Sequence, residues 1–389
     1  MQMSSPHGAT PTTEPVATST PLPHKELPWD LGGKRLDVQV LRALAVGIVM
    51  SLGLAHLTYH HIEERFRAKG SQPLNWKALR VPAVSVVAGG ATCAVLLFGA
   101  LSSWGLSSLK TTSAKLVQRP ARQDLCLNTT PVTDRDMSQC TWGADRPGKP
   151  IYLVGDSNAQ MYTEGLIDAS SELDRPLIVA ATGGCPVVRV PHEVPGNPAG
   201  QAICERYAES AKSWLEQQPP GDVVMASSGE WFEMDTLHML DDRGHTAVTP
   251  EEKEPIRSES LKGTITAFRA AGHEVNLGET SPHLKGKTLR WWNPVECSNW
   301  TLLRDPDGCG TETPLTAERA RLAPVYRSEQ AALAGTEATY VKVADELYAD
   351  GRCAARRDGV WVYRDGLHIS PQGSAMLNQV FERALKVED

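Results

Sequence analysis

The stretch Ile151-Tyr-Leu-Val-Gly-Asp-Ser157 joins a short apolar run to a serine. An apolar run of this length, closed by turn residues, predicts a buried strand, and the pattern that follows it predicts a helix over residues 158–173. A strand that turns sharply into a helix exposes the turn serine at the carboxyl edge of a sheet, with helix amides directed toward it. Ser157 is therefore the candidate nucleophile, and Asp156 is expected to support the turn.

A second motif, Asp365-Gly-Leu-His368, lies about two hundred residues further along the chain. Serine is a poor nucleophile at its own pKa, so it needs an imidazole to take its proton and a carboxylate to hold that imidazole in the right tautomer. Ser370-Pro371 predicts the cap and first turn of a helix over residues 372–385, which places the motif on the preceding loop. Ser157, His368 and Asp365 are the predicted catalytic residues for acyl chemistry.

Apolar runs alternate with helical stretches through the second half of the chain. This alternation predicts an α/β fold, with a parallel, three-layer sheet of about five strands. In such sheets the ligand crevice lies at the carboxyl ends of the strands. The predicted strands are 151–154, 177–181, 223–226, 274–277 and 340–343, and the predicted helices are 158–173, 203–217, 255–271, 317–334 and 372–385.

The two motifs resemble the first and last sequence blocks of the SGNH hydrolases, whose fold is flavodoxin-like, over residues 149–389. That resemblance implies an oxyanion hole formed by the amide of Ser157 and a glycine after the second strand, where Gly184 is favoured and Gly183 is the alternative. The family's third block carries an Asn, but the matching strand end here is Ser227-Ser-Gly-Glu-Trp231, so a third oxyanion donor is not identified. Trp231 and Asn158 are candidate substrate-binding residues, with core packing and helix initiation as their alternative roles.

The Gly-Cys-Pro that follows the second strand, together with Trp231, resembles more closely the SGNH domain fused to membrane acyltransferases of family 3. Residues 35–46 and 57–67 resemble the opening and closing segments of that membrane domain, with most of its helices missing between them. The resemblance implies O-acetyl transfer to a glycan of the cell envelope through an acyl-serine, without a metal or cofactor. A separate membrane acyl donor protein is a further implied partner.

Two alternatives stay open at this stage. Loss of the membrane bundle favours an O-acetyl esterase, in which water replaces the sugar hydroxyl as the attacking group. The missing Asn and the truncated membrane part also fit a non-catalytic envelope protein that binds a glycan or a partner.

The amino-terminal part predicts a membrane anchor of one or two transmembrane helices, the first candidate being residues 38–59, which are mostly apolar but contain Arg42 and His56. Residues 81–104 are 24 residues without a charge, which is enough to cross a bilayer. The loop before them, residues 69–80, is basic, which favours a cytoplasmic position for it. The large domain is therefore expected to be extracytoplasmic, and the protein is expected to lie in the cell membrane. The predicted segments are a disordered tail (1–35), an acyltransferase remnant (36–68), the cytoplasmic loop (69–80), a transmembrane helix (81–106), a linker (107–147) and the SGNH domain (148–389).

Charge and cysteine content limit the partners and the compartment. A formal net charge of −7 without a basic stripe argues against nucleic-acid binding. Seven of the eight cysteines follow the predicted anchor, which is typical of an oxidising compartment. Zinc binding is a weaker alternative, because no Cys-x-x-Cys or His cluster is present. Local spacing suggests the pairs Cys126–Cys140, Cys185–Cys204 and Cys297–Cys309, and leaves Cys353 without a partner.

Overall fold

The structure is a computed structural model, and the chain divides into two compact units, Met1–Pro82 and Ala83–Asp389. Most of the predicted tail, acyltransferase remnant, basic loop and transmembrane helix lies outside the described residues. Within the predicted transmembrane helix, residues 89–96 are helical. In the part of the chain that is described, no helix is both long enough and apolar enough to cross a membrane. The structure describes residues 52–53, 56, 59–60, 84, 87, 89–96, 115, 117–188, 192–193, 197–229, 233–241, 243–284, 297, 301–302, 305 and 312–386.

A six-stranded sheet forms the centre of the second unit, with the strand order β1-β3-β2-β5-β8-β10. Every neighbouring pair is parallel except β1 and β3, which are antiparallel. The predicted α/β class and the mostly parallel sheet are therefore confirmed. The strands are β1 Thr141–Trp142, β2 Ile151–Gly155, β3 Leu177–Ala181, β4 His192–Glu193, β5 Asp222–Ala226, β6 His238–Leu240, β7 Thr246–Ala247, β8 Glu274–Gly278, β9 Glu312–Pro314, β10 Thr339–Val341, β11 Tyr348–Ala349, β12 Arg352–Ala354, β13 Arg356–Arg357 and β14 Val360–Trp361.

Helices cover both faces of this sheet. Successive side chains of a strand point to opposite faces, so Leu153 of β2 packs in one buried apolar cluster and Val154 in the other. Helices α3 and α10 pack in the Leu153 cluster, and α4, α5 and α7 pack in the Val154 cluster. The helices are α1 Ala121–Leu125, α2 Ser157–Gln160, α3 Thr163–Glu172, α4 Pro198–Leu215, α5 Pro250–Ala270, α6 Leu315–Arg321, α7 Ala323–Leu333, α8 Ala344–Leu347, α9 Pro371–Ala375 and α10 Asn378–Leu385.

The prediction of one continuous helix over residues 158–173 is wrong. The chain forms α2 and α3, with a turn between them. At the turn, the amide of Tyr162 donates to the carbonyl of Ala159, 2.9 Å away, as in a tighter helical turn. The hydroxyl of Thr163 donates to the carbonyl of Gln160 at 2.6 Å and so occupies an acceptor of the last turn of α2. Ser157 consequently lies at the start of a helix of a single turn.

Two other predicted helices are also divided. The helix predicted over residues 317–334 is α6 followed by α7, because Pro324 has no N–H to continue the backbone ladder. The helix predicted over residues 372–385 is α9 followed by α10, with a tighter turn where the amide of Leu377 donates to the carbonyl of Ser374 at 2.9 Å. The predicted cap is confirmed, since the Ser370 hydroxyl accepts from the amide of Gly373 at 3.0 Å, with Pro371 in the first turn.

Residues 117–147 belong to the segment predicted as a linker (107–147), and they form part of the folded domain. This segment contains α1 and β1, and β1 adds an antiparallel edge to the central sheet. The disulfide Cys126–Cys140 cross-links this segment, and both cysteines are buried in the Leu153 cluster. The folded region therefore extends toward the amino terminus beyond the boundary expected at residue 148.

Candidate active site

The Asp365-x-x-His368 spacing has a local structural cause. The Asp365 carboxylate accepts the backbone N–H groups of Leu367 and His368, each at 2.8 Å, and so closes a turn on its own chain. This turn brings the His368 ring back to the same carboxylate, with Nδ1 2.9 Å from both carboxylate oxygens. A carboxylate three residues before a histidine therefore both shapes the loop and orients the imidazole.

Ser157 meets His368 from the other side of the crevice. The Ser157 Oγ and the His368 Nε2 are 2.9 Å apart, although the two residues are 211 positions apart in the chain. An ionised carboxylate can only accept, so the proton on the ring belongs to Nδ1, and Nε2 is left to accept the Ser157 hydroxyl. The three predicted residues thus form a hydrogen-bonded triad, from Ser157 through His368 to Asp365. Ser157 remains partly exposed.

The pKa of Asp365 favours the ionised carboxylate that the triad requires. Burial by itself would raise the pKa of Asp365, but the hydrogen bonds from His368 and the Leu367 amide outweigh it, so the pKa lies below its ordinary value. Arg364 contributes in the same direction, with its Nε 3.6 Å from a carboxylate oxygen of Asp365. The carboxylate is therefore ionised at neutral pH.

The turn that carries Ser157 depends on Gly155. Its φ angle is +143°, and a Cβ added there would lie 1.9 Å from the carbonyl oxygen of Ala226 on the neighbouring strand. Only glycine fits this close approach of β2 and β5. Asp156 supports the turn as predicted, because one carboxylate oxygen accepts the Asn158 amide at 2.7 Å and the other accepts the Ser228 amide at 2.8 Å.

The serine and the histidine open into a cavity of about 400 Å³ at the carboxyl edge of the sheet. Gly183 and Gly184, predicted as alternative oxyanion glycines, lie in the loop after β3 and both line this cavity. Gly184 has a φ of +70°, which favours glycine at that position. The described lining residues are Thr129, Asp156, Ser157, Asn158, Gly183, Gly184, Cys185, Asn197, Gly200, Gln201, Ile203, Cys204, Ser228, Met234, Leu237, Leu367 and His368.

The two predicted substrate-binding residues differ in what can be said of them. Asn158 lines the cavity, but it is only 3% exposed, and its side-chain oxygen accepts the Ser281 hydroxyl at 3.4 Å. Asn158 therefore connects the start of α2 to the segment after β8, while one edge of it faces the cavity. Trp231 lies outside the described residues.

Two of the three predicted disulfides, Cys126–Cys140 and Cys185–Cys204, are present. Cys297 is buried and disulfide-bonded, while Cys309 lies outside the described residues. Cys353 is a buried free thiol whose Sγ lies 3.3 Å from the Tyr363 hydroxyl, and burial raises its pKa to about 12.

Sequence reasoning did not find two side chains that contact the site's backbone. The Tyr207 hydroxyl, on α4, lies 2.7 Å from the amide nitrogen of Gly155. Arg135 donates to the carbonyl of Ala181 at 2.7 Å and to the hydroxyl of Thr182 at 2.6 Å, where the glycine loop begins. Both residues bond mainly to backbone atoms, and such bonds leave no motif in a single sequence.

Glu279 directly follows β8 at the same edge of the sheet and is partly buried. Burial raises the pKa of Glu279 to about 7, and the nearby carboxylates of Glu329 and Asp345 act in the same direction, against the Ala344 amide and Arg319. The Ala344 amide donates to the Glu279 carboxylate at 3.0 Å. The folded protein therefore holds a proton on Glu279 at pH values where the unfolded chain, with a pKa of 4.5, has lost it.

Glu279→Gln is expected to stabilise the protein at slightly alkaline pH. The contribution of protonated Glu279 to stability is present below a pH of about 4.5 and is lost as pH rises through about 7. Because Gln stays neutral and can still accept from Ala344, the unfolding free energy at about pH 8 should rise by on the order of 2 kcal/mol, with little change near pH 4.5. Urea unfolding of the two proteins at both pH values measures the difference.

Glu337→Gln is the control for that measurement. Glu337 is exposed and pairs with Arg269 at 2.9 Å, and exposed ion pairs contribute little to stability. Equal unfolding free energies of wild type and Glu279→Gln at about pH 8 would contradict the proposed linkage.

No curated protein matches this chain. Solved structures that resemble it include the periplasmic domain of a lipopolysaccharide acetyltransferase from Salmonella ser. Paratyphi A, with 15% identity, a TM-score of 0.49, and 72% of this chain and 98% of that chain covered. A protein from Slackia heliotrinireducens assigned as an SGNH hydrolase has 18% identity and a TM-score of 0.34, with 61% of this chain and 100% of that chain covered.

A third structure, a Bacteroides fragilis protein assigned as an acylhydrolase, has 13% identity and a TM-score of 0.33, with 64% of this chain and 94% of that chain covered. The sequence model of the SGNH domain that occurs fused to AT3 domains matches residues 125–383, which is more than half of the chain. The matched range includes Ser157, Asp365 and His368. The chain therefore belongs to the family of SGNH domains fused to AT3 domains.

Proposed function

We propose that this protein is a membrane-anchored acyltransferase that moves an acetyl group onto a hydroxyl of a cell-envelope glycan through an acyl-Ser157 intermediate. The observation that carries the proposal is the hydrogen bond of 2.9 Å between Ser157 Oγ and His368 Nε2, with Asp365 bonded to the opposite ring nitrogen. This arrangement matches the geometric requirement for a nucleophile, its base and an orienting acid. Membership of the SGNH family is consistent with acyl chemistry at this serine.

In the first half-reaction, Ser157 Oγ attacks the carbonyl carbon of an acetyl donor while His368 Nε2 takes the hydroxyl proton. A bond forms between Oγ and the acyl carbon, and the bond from that carbon to the donor oxygen breaks as the tetrahedral intermediate collapses. The proton held on Nε2 passes to the leaving oxygen. Asp365 stays ionised throughout and stabilises the imidazolium.

In the second half-reaction, a glycan hydroxyl takes the place of the departed group. His368 Nε2 accepts the hydroxyl proton as the glycan oxygen attacks the acyl-serine, and the same proton returns to Ser157 Oγ when the ester is released. Attack by water at this step gives acetate instead. Transferase and O-acetyl esterase activities therefore share one site and differ in which oxygen reaches the acyl carbon.

The tetrahedral intermediates carry a negative oxygen that needs donors. We assign this role to the backbone amides of Ser157 and Gly184, with Gly183 as the alternative, because both glycines line the cavity beside Ser157. Each such donor contributes about 3 kcal/mol to transition-state stabilisation. Ser228 occupies the cavity near the strand end where the family carries Asn, and its backbone amide bonds to Asp156 at 2.8 Å.

The proposed location is supported by the disulfides, and the proposed partners are supported by the resemblance to the acyltransferase family. Disulfides Cys126–Cys140 and Cys185–Cys204 favour an oxidising compartment, so we place the SGNH domain outside the cytoplasm. Residues 81–106 would anchor it, and a separate membrane protein would supply the acyl donor. The acceptor we propose is an envelope polysaccharide.

A chromogenic acetyl ester tests the function with the full chain in detergent. We expect chromophore release, and a mass increase of one acetyl group on the peptide that contains Ser157 when the reaction is quenched. With an oligosaccharide acceptor present, acetylated oligosaccharide should form at the expense of acetate. Acetate release that no acceptor diverts would favour the esterase, and folded protein that releases no chromophore above buffer would overturn both.

A further inference from the structure

Helix α4 contacts the turn that carries Ser157. The hydroxyl of Tyr207 accepts the amide of Gly155 at 2.7 Å, and it lies 2.9 Å from the carbonyl oxygen of Gly155 and 2.8 Å from that of Ala180. Tyr207 is 1% exposed, so these backbone groups have no access to solvent as a substitute partner. A single hydroxyl thus joins the carboxyl ends of β2 and β3, two residues before the nucleophile.

The same helix also holds the glycine loop. Cys204, one turn before Tyr207 on α4, forms a disulfide with Cys185, which directly follows Gly184. The sulfur of Cys204 lies 3.5 Å from the carbonyl oxygen of Gly184, and both cysteines line the cavity. The loop that would supply the oxyanion amide is therefore covalently tied to the helix that supports the serine turn.

We infer that α4 is a positioning element, which fixes the serine turn and the glycine loop relative to each other through the Tyr207 hydroxyl and the Cys185–Cys204 disulfide. The inference rests on the proposed function, because its consequence is the alignment of Ser157 Oγ with the oxyanion amides. Tyr207 and the disulfide act through other groups, so they are positioning residues. Loss of either should lower the rate of the acyl-transfer step more than it lowers substrate binding.

Tyr207→Phe is expected to lower kcat by roughly tenfold to a hundredfold, with KM changed by less than about twofold. Phe preserves the ring but leaves the Gly155 amide without its acceptor. The measurement is turnover of the chromogenic acetyl ester by the full chain, well below the melting temperature of each variant. The paired substitution Cys185→Ala with Cys204→Ala should likewise lower kcat, whereas Cys126→Ala with Cys140→Ala, a disulfide that does not line the cavity, should mainly lower the melting temperature.

Tyr152→Phe is the matched control for Tyr207→Phe. Tyr152 is also 1% exposed and lies on β2, but its hydroxyl donates to the carbonyl of Pro219 at 2.9 Å, near the amino end of the strand. A merely structural hydroxyl should lower the melting temperature in both variants and leave kcat alone. Equal kcat values for Tyr207→Phe and Tyr152→Phe would overturn the inference.

A crystallographic measurement separates this inference from the proposed function. If wild type does not turn over any acetyl ester, the proposed function fails, but the positioning role can still be measured as the distance between Ser157 Oγ and His368 Nε2, which is 2.9 Å here. We expect that distance to exceed about 3.5 Å in Tyr207→Phe and to stay within hydrogen-bond reach in Tyr152→Phe. An unchanged distance in Tyr207→Phe would refute the positioning role whatever the activity of wild type.

Discussion

Replacing Ser157 with Ala is expected to lower kcat on an acetyl ester by about 10⁴-fold to 10⁶-fold, because the acyl-enzyme cannot form without the nucleophilic oxygen. The substitution should also abolish covalent labelling by a fluorophosphonate probe, which reacts with serines activated by an adjacent base. Ser157 makes its side-chain hydrogen bond to His368 at 2.9 Å, and removal of one partly exposed hydroxyl should leave the melting temperature nearly unchanged. Gel fluorescence of labelled protein and the rate of chromophore release measure the two effects.

Ser228→Ala is the control for probe specificity. Ser228 lines the same cavity, yet its backbone amide, which an alanine retains, is what bonds to Asp156 at 2.8 Å. We expect Ser228→Ala to be labelled and Ser157→Ala to be unlabelled. Labelling of folded Ser157→Ala at the wild-type rate would rule out Ser157 as the nucleophile and would leave a binding role as the better explanation of the site.

The parts of the fold that a single sequence predicts are those whose physical cause is local. Strand β2 is predictable because each of its residues is buried, which requires a continuous apolar run. The proximity of Ser157 and His368 is expected from the resemblance of their motifs to the first and last SGNH blocks. Strand geometry alone does not give it, because the His368 loop follows β14, which lies outside the central sheet. The Asp365 loop is predictable because its carboxylate bonds to amides only two and three residues ahead.

The parts that escaped prediction depend on distant contacts or on very short elements. Strand β1 has only two residues, too few for any periodic pattern, so residues 117–147 resembled a linker. The turn at Tyr162 is compatible with a continuous helix by propensity, and it is set by tertiary bonds such as that of the Tyr162 hydroxyl to the Glu279 carbonyl at 3.1 Å. Tyr207 escaped because its partners are backbone groups of strands about thirty to fifty residues away.

Asp365→Asn tests whether the carboxylate controls the state of the imidazole. The Asn oxygen can still accept the amides of Leu367 and His368, so the loop should keep its shape. Its NH₂ group would then face His368 Nδ1 and donate to it, which moves the ring proton to Nε2. Because Nε2 then carries a proton, it cannot accept the proton of Ser157, and kcat at neutral pH should fall by about 10⁴-fold.

The measurement is kcat for ester turnover beside the melting temperature, with Asp136→Asn as the matched variant. Asp136 closes a similar turn by accepting the amide of Ser138 at 3.1 Å, but it is not part of the Ser157–His368–Asp365 triad. Asp136→Asn should therefore retain kcat, whereas Asp365→Asn should lose it at an almost unchanged melting temperature. Wild-type kcat in Asp365→Asn would show that the imidazole does not need the carboxylate to hold its proton on Nδ1, and the role of Asp365 would reduce to shaping the loop.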